Sequence, residues 1–355
     1  MRILRKAPLL LFLICLSLHS QNYQQQIDSI LKTHPEFNGA VLLMKQDSVV
    51  AKAAKGIADT KGTPIDFNSS FNLASVAKHF TALAAARLME EEKLDYHAPV
   101  SNYLPQLKNA KYDSITIANL VHHTSGLPEY EELFEDYPSY ADPYATNESM
   151  LELFKAHTPD LLFQPGEDYQ YSNTGYIVLA SVVEKISGMN MGEYFQKNFF
   201  DPLQMDNSFG YSHSYRNKHP ERVIGLEFKG DTLINDLNHL DGVIGDGNVY
   251  MSINDFVKWE RFLRSQDLLS EKWRQIYFNP GADLPDNADP YAFGWVVYKD
   301  RQVMQHAGGW VGFSTLYYRD QKSGTVMVAL SNGSITNEEF STILKAINQL
   351  RKELT

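Results

Sequence analysis

Three apolar runs near the C-terminus constrain the fold more than any other feature of the chain. Gly294-Trp295-Val296-Val297-Tyr298, Thr315-Leu316-Tyr317-Tyr318-Arg319 and Thr325-Val326-Met327-Val328-Ala329-Leu330 are rich in β-branched and aromatic residues, the side chains that suit a pleated, half-buried surface. Asp300-Arg301 and Ser323-Gly324 punctuate them as turns, so they read as an antiparallel strand series. The segment that follows opens with Thr336-Asn337-Glu338-Glu339, a capping box, and carries Phe340, Ile343, Leu344, Ile347 and Leu350 on one face. A helix of that kind is expected to cover the sheet.

At 355 residues the chain exceeds what one hydrophobic core usually serves, and two lobes are expected. Residues 1–20 combine a basic start (Arg2, Arg5, Lys6), an apolar stretch from Ala7 to Leu18 and the small Ser20, the pattern of a cleaved signal peptide, too short for a comfortable membrane span. The sole cysteine, Cys15, lies inside it. A secreted or periplasmic mature protein would therefore hold no disulfide, cysteine nucleophile or cysteine metal ligand. Cleavage removes three cations from a chain whose net charge is already −11, which disfavours nucleic acid and anionic membrane surfaces as partners.

The chemistry begins at Ser75-Val76-Ala77-Lys78. Three residues make one helical step, so the hydroxyl and the amine share a face and can act as nucleophile and base. Val76, Phe80, Leu83, Ala84 and Leu88 recur at helical spacing while Phe71 to Ala74 do not, which puts Ser75 near a helix N-terminus. There the helix dipole favours a developing alkoxide and opposes protonation of Lys78. The same spacing recurs at Ser29-Ile30-Leu31-Lys32, in a polar helix with nothing around it that resembles a site. Companions must separate the two.

One companion is Tyr171-Ser172-Asn173, which follows the Pro165-Gly166 turn and precedes an apolar helical pattern ending at Gly188. Tyr171 and Asn173 are expected on one side of a loop entering that helix, offering a phenol for proton transfer and an amide for a carbonyl or for Lys78. The other is His306-Ala307-Gly308-Gly309-Trp310 within the strand series. Consecutive glycines at a strand edge let another backbone or a ligand come close, so the Gly309 N–H can serve as an oxyanion donor beside that of Ser75; the alternative is a β-bulge.

With Ser75/Lys78, Tyr171/Asn173 and His306-Ala307-Gly308 in this order, the chain resembles the penicillin-recognising serine hydrolases, in the branch of class C β-lactamases, family VIII esterases and D-aminopeptidases. His122-His123-Thr124-Ser125-Gly126-Leu127 and Gly245-Asp246-Gly247-Asn248 add to the likeness, which spans roughly residues 37 to 335. The resemblance implies a β-lactamase/transpeptidase-like α/β (α+β) fold: a sheet lobe from residues 21–80 and 245–355, with a mostly helical lobe, 81–244, inserted between. It implies a Ser75 acyl-enzyme, proton transfer by Lys78 or Tyr171, substrate binding by Asn173, His306, Gly308 and Gly309, no cofactor, and a small-molecule or peptide substrate.

One departure matters. His306 and Ala307 stand where β-lactam and peptide-carboxylate binders usually have Lys and Thr, and a mostly neutral imidazole and a methyl grip a carboxylate poorly. Ester or amide hydrolysis is the expectation, with a non-catalytic binding or sensor protein on the same scaffold as its rival. Elsewhere, His122-His123 reads as structural hydrogen bonding rather than a metal site, because adjacent side chains diverge. The segment from Glu129 to Tyr144 reads equally as a substrate entrance or a solvated loop, and Asp241 to Asn248 as a turn beside the site.

Overall fold

The computed structural model describes residues 22–212, 219–265, 267–279, 290–298, 302–333 and 335–354; the expected signal peptide lies outside them. In chain order the regular elements are a helix over 22–33 (α1), strands β1 (Gly39–Lys45), β2 (Ser48–Lys55) and β3 (Phe71–Asn72), and helices α2 (Lys78–Glu90), α3 (Ile117–Val121), α4 (Tyr130–Asp136), α5 (Asn147–His157), α6 (Asn173–Ser187) and α7 (Met191–Phe195). There follow β4 (Phe209–Gly210), β5 (Gly225–Lys229), β6 (Thr232–Asp236), β7 (Val249–Met251), α8 (Ile253–Arg264), α9 (Glu271–Tyr277), β8 (Tyr291–Ala292), β9 (Trp295–Tyr298), β10 (Val303–Trp310), β11 (Phe313–Asp320), β12 (Thr325–Ser331) and α10 (Asn337–Glu353).

Among the described residues the main sheet has seven strands in the order β2-β1-β12-β11-β10-β9-β8. Its neighbours are antiparallel throughout, as the alternation of strands and short turns predicts. The central contact pairs the beginning of the fold with its end, from Gly39 opposite Ser331 to Lys45 opposite Thr325. Because helices cover both faces, β1 and β12 read as continuous apolar runs rather than alternating ones. Ala40, Leu42 and Met44 face a core shared with α2 and α8, whereas Val41 and Leu43 face Ile27 and Leu31 of α1 and Phe340, Ile343 and Ile347 of α10. The capping box at Thr336 and Glu339 forms as expected. Between β2 and β7 the chain supplies mostly helices, together with the short strands β3 and β4 and the β5–β6 hairpin. Among the described residues no helix is long and apolar enough to cross a membrane.

Helix α8 is tied to the sheet by a buried charge cluster. The Glu260 carboxylate accepts two hydrogen bonds from Arg319, at 2.7 and 3.1 Å, one from Arg264 at 2.7 Å and one from the Tyr317 hydroxyl. Burial alone would raise the Glu260 carboxyl; the Arg319 charge and its paired hydrogen bonds outweigh burial and hold it below its ordinary value. Glu260→Leu leaves Arg319 buried without its counter-charge, and a loss of about 3–5 kcal/mol is expected in urea unfolding at pH 7. A folded-state value below the unfolded one stabilises the fold fully above the ordinary 4.5, and that contribution is lost as pH falls through the folded value. The stability gap between wild type and variant should therefore narrow below about pH 4.5; a gap independent of pH would show that the pair contributes nothing through ionisation.

Candidate active site

Strand β3 delivers the chain to Ala74, which takes a left-handed backbone (φ +47°) before a 3₁₀ turn, Ala74–Ala77, runs into α2. That conformation costs a non-glycine residue about 1–2 kcal/mol. It is held by Asn72, whose Oδ1 accepts the Ala74 N–H at 2.9 Å, and by Thr315 of β11, whose hydroxyl donates to the Leu73 carbonyl at 2.9 Å. Ser75 thus stands at the start of the helical segment, as its periodicity predicts, although the first turn is 3₁₀ rather than α. Ser29, by contrast, lies exposed on α1.

Lys78, the first residue of α2, is fully buried. Its Nζ lies 3.3 Å from Ser75 Oγ, 2.7 Å from Asn173 Oδ1 and 2.9 Å from the Asp246 carbonyl oxygen. An ammonium fills all three contacts as a donor. A neutral amine keeps the two short bonds to Asn173 and Asp246 and turns its lone pair to the Ser75 hydroxyl. The geometry therefore serves both ends of a proton transfer from Ser75.

Asn173 opens α6, one residue after its N-cap Ser172, whose hydroxyl accepts the Gly175 N–H at 3.0 Å. Tyr171 precedes the cap, its ring 4.8 Å from Lys78 Nζ. Its hydroxyl is buried and, among the described residues, has no hydrogen-bond partner. The loop-then-helix reading of this segment holds, with Asn173 inside the helix rather than ahead of it.

On the other side runs β10. The register from Val303 to Trp310 against β11 is unbroken, so the two glycines form no bulge. The β9 pairing ends at Gln305, which leaves the following residues as a free edge among the described strands. The glycines differ in purpose. A Cβ on Gly308 would lie 2.7 Å from the Leu73 carbonyl and 3.0 Å from Ala74 Cβ, so its absence lets the strand close on the Ser75 turn; at Gly309 a Cβ would meet only the Phe313 carbonyl at 4.0 Å.

His306 faces inward rather than into the cleft. It is 6% exposed, with Nε2 3.0 Å from the Tyr291 hydroxyl and Nδ1 2.6 Å from the Ala307 carbonyl. Burial, reinforced by the Lys78 charge, lowers its pKa to about 3, so the imidazole is neutral.

Ser75, Asn173 and Gly309 line a cleft of about 250 Å³ together with Tyr130, Glu131, Asp246 and Trp310. A family model described as Beta-lactamase matches residues 27–352. The chain belongs to the Beta-lactamase family. A penicillin-binding protein of Bacillus subtilis (strain 168) is 30% identical over 93% of this chain and 76% of its own length. The crystal structure of a penicillin-binding protein from Bacillus halodurans superposes with a TM-score of 0.78 at 27% identity, covering 91% of this chain and 98% of that one. A D-amino acid amidase from Ochrobactrum anthropi SV3 shares the fold at a TM-score of 0.71 and 19% identity, covering 93% and 99%. The resemblance carried by the three motifs is thus a family relationship, and the protein is a β-lactamase-related serine hydrolase with the β-lactamase/transpeptidase-like fold.

For a Beta-lactamase family member, the residues that sequence reasoning left undecided are the acidic ones. Glu129 accepts the Asn173 N–H through both oxygens, at 3.1 and 3.0 Å, and so caps α6. Glu131 accepts from the Asn173 amide at 3.1 Å, and Tyr130 donates to the Asp246 carboxylate at 3.4 Å. Burial, then Asp246 and Glu129 nearby, pushes Glu131 up to about 8. The start of the Glu129 to Tyr144 segment therefore lines the site. Its only sequence signal was acids beside a tyrosine, which is equally the signature of a solvated turn. His122 and His123 point apart, His122 bonding Tyr291 and Tyr96 and His123 bonding Ser172. Among the described residues no cluster of His, Cys, Asp or Glu is suited to a metal ion.

Proposed function

We propose that the protein is an exported hydrolase that cleaves ester or amide bonds through an acyl-enzyme on Ser75. The observation that carries the reading is Lys78, a fully buried amine 3.3 Å from the Ser75 hydroxyl and oriented by Asn173 and the Asp246 carbonyl. Ser75 Oγ attacks the substrate carbonyl and its proton passes to Lys78 or Tyr171. The N–H groups of Ser75 and Gly309 hold the oxyanion, and the leaving alkoxide or amine departs with a proton from the same relay. Water then attacks the acyl-enzyme and restores Ser75. Export rests on the signal-peptide pattern of residues 1–20.

The substrate preference follows from charge. The ionisable side chains among the cleft-lining residues are Ser75's acidic neighbours Glu131 and Asp246, together with Tyr130, and His306 is neutral and buried. Uncharged esters and amides meet no opposition there; a carboxylate-bearing β-lactam finds no cation at position 306. Because burial and the neighbouring Asp246 and Glu129 push the Glu131 carboxyl up to about 8, opposition to a carboxylate is expected to grow as pH rises through that region, while a neutral ester is spared it. The test is kcat/KM from pH 6 to 9.5 for p-nitrophenyl esters, D-amino-acid amides and a chromogenic cephalosporin, with acylation followed by intact mass. Short-chain esters or amides should lead, and the cephalosporin-to-ester ratio should fall above about pH 8. A cephalosporin turned over faster than every neutral substrate would overturn this preference.

A further inference from the structure

His123 occupies a position where a side chain is costly. It follows the C-cap of α3, has φ +59°, and the Thr124 N–H reaches back to the Asn119 carbonyl at 2.9 Å. This is the helix-terminating bond pattern that ordinarily places glycine at residue 123. The imidazole is also 1% exposed, and its Nε2 has no hydrogen-bond partner among the described residues. An unusual backbone and an unpaired buried nitrogen at one residue ask for a compensating role.

The compensation is on the two sides of Tyr171. The Gln170 N–H donates to the His123 carbonyl at 3.0 Å, and the Ser172 N–H donates to His123 Nδ1 at 3.0 Å. One residue thus holds both peptide N–H groups that flank Tyr171, one through its main chain and one through its ring. The left-handed backbone accompanies both acceptors being presented to the same loop. The imidazole lies against the Tyr171 ring with centroids 4.3 Å apart, and is backed by Tyr291 at 4.3 Å and Tyr176 at 5.1 Å.

We propose that His123 is a positioning residue for the reaction: it clamps the backbone on either side of Tyr171 and backs its ring, fixing the phenol beside Lys78. The inference rests on the reading of Tyr171 as a proton-transfer group. Nδ1 accepts only in the neutral imidazole with the proton on Nε2. Burial first, then the Lys78 charge, lowers the His123 pKa well below the ordinary range and keeps the ring neutral, and the Ser172 N–H pointing at Nδ1 selects that tautomer.

The side-chain acceptor can be separated from volume by two substitutions. His123→Asn places its Oδ1 where Nδ1 stands, and Asn tolerates a left-handed backbone; His123→Gln fills more of the space but has no acceptor at that atom. With a p-nitrophenyl ester, His123→Gln is expected to lower kcat by about 10²-fold with little change in KM, the scale of a roughly 1 Å misplacement. His123→Asn should restore kcat to within several-fold of wild type. In a Tyr171→Phe background, His123→Gln should have almost no further effect. Thermal unfolding of each variant separates these losses from loss of fold. Equal losses in the Asn and Gln variants, or effects that multiply with those of Tyr171→Phe, would reduce His123 to a structural residue and overturn the inference. If Tyr171→Phe is itself fully active, the reading of Tyr171 fails first and the inference with it, an outcome distinct from a slow Tyr171→Phe beside a fully active His123→Gln.

Discussion

Ser75→Ala is expected to lower kcat on the order of 10⁶-fold, the scale set by loss of the nucleophile in an unrelated serine hydrolase. The fold should persist. Ser75 is half-buried in the first helical turn, where alanine is well accommodated, and Lys78 keeps its bonds to Asn173 and to the Asp246 carbonyl. The check pairs kinetics with labelling. A serine-directed fluorophosphonate should add one equivalent of mass to wild type and to Ser29→Ala, and none to Ser75→Ala, with peptide mapping locating the adduct. An adduct on any other residue would remove Ser75 from the chemistry and, with it, the meaning given to the cleft.

Lys78→Met and Tyr171→Phe should each slow acylation by about 10²- to 10⁴-fold, the range for groups that move a proton in the transition state. The two differ in what else they disturb. Methionine in place of Lys78 leaves the Asn173 amide oxygen and the buried Asp246 carbonyl facing a thioether, and an unpaired buried acceptor costs about 1–3 kcal/mol, so Lys78→Met should also lower Tm. Tyr171→Phe removes a hydroxyl that has no partner among the described residues, and should leave Tm near wild type. Since both groups serve one relay, the double variant should lose less than the product of the single losses. Burst kinetics with a p-nitrophenyl ester isolate the acylation step. A Tyr171→Phe enzyme with wild-type acylation from pH 6 to 9.5 would leave Lys78 as the only candidate base and acid.

What could be read in the sequence was whatever repeats locally. The period of Phe340, Ile343 and Ile347 names α10 and its face, and the aromatic and β-branched runs name β9, β11 and β12. A three-residue spacing brings Ser75 and Lys78 together because a helix makes that true wherever it forms. The approach of Glu131 and Asp246 to Asn173 has no local sign, since it depends on how α4 and the β6–β7 connection pack against α6. The direction of His306 was equally hidden. Side chains alternate along a strand, so which face receives the imidazole depends on the register of β10 against β11, a property of two segments rather than one. The left-handed Ala74 was invisible for the opposite reason: alanine does not favour that conformation, and only the contacts from Asn72, Thr315 and Gly308 impose it.

The pairing of β1 with β12 also sets when this protein can first become an enzyme. During synthesis the segment bearing Ser75 emerges early, but the strand carrying Gly309 emerges late, and the central partner of β1 emerges later still. A nascent chain therefore holds a serine and a lysine with no wall opposite them and no closed sheet beneath them. Catalytic competence should arrive in one step, once β12 is available to pair with β1. Contacts this distant in sequence are also the ones that slow folding, and they make C-terminal truncation a sharper lesion than its distance from Ser75 suggests. A chain ending before Thr325 would lack the strand that joins its two ends, and should be inert although every residue of the proposed proton relay is still present.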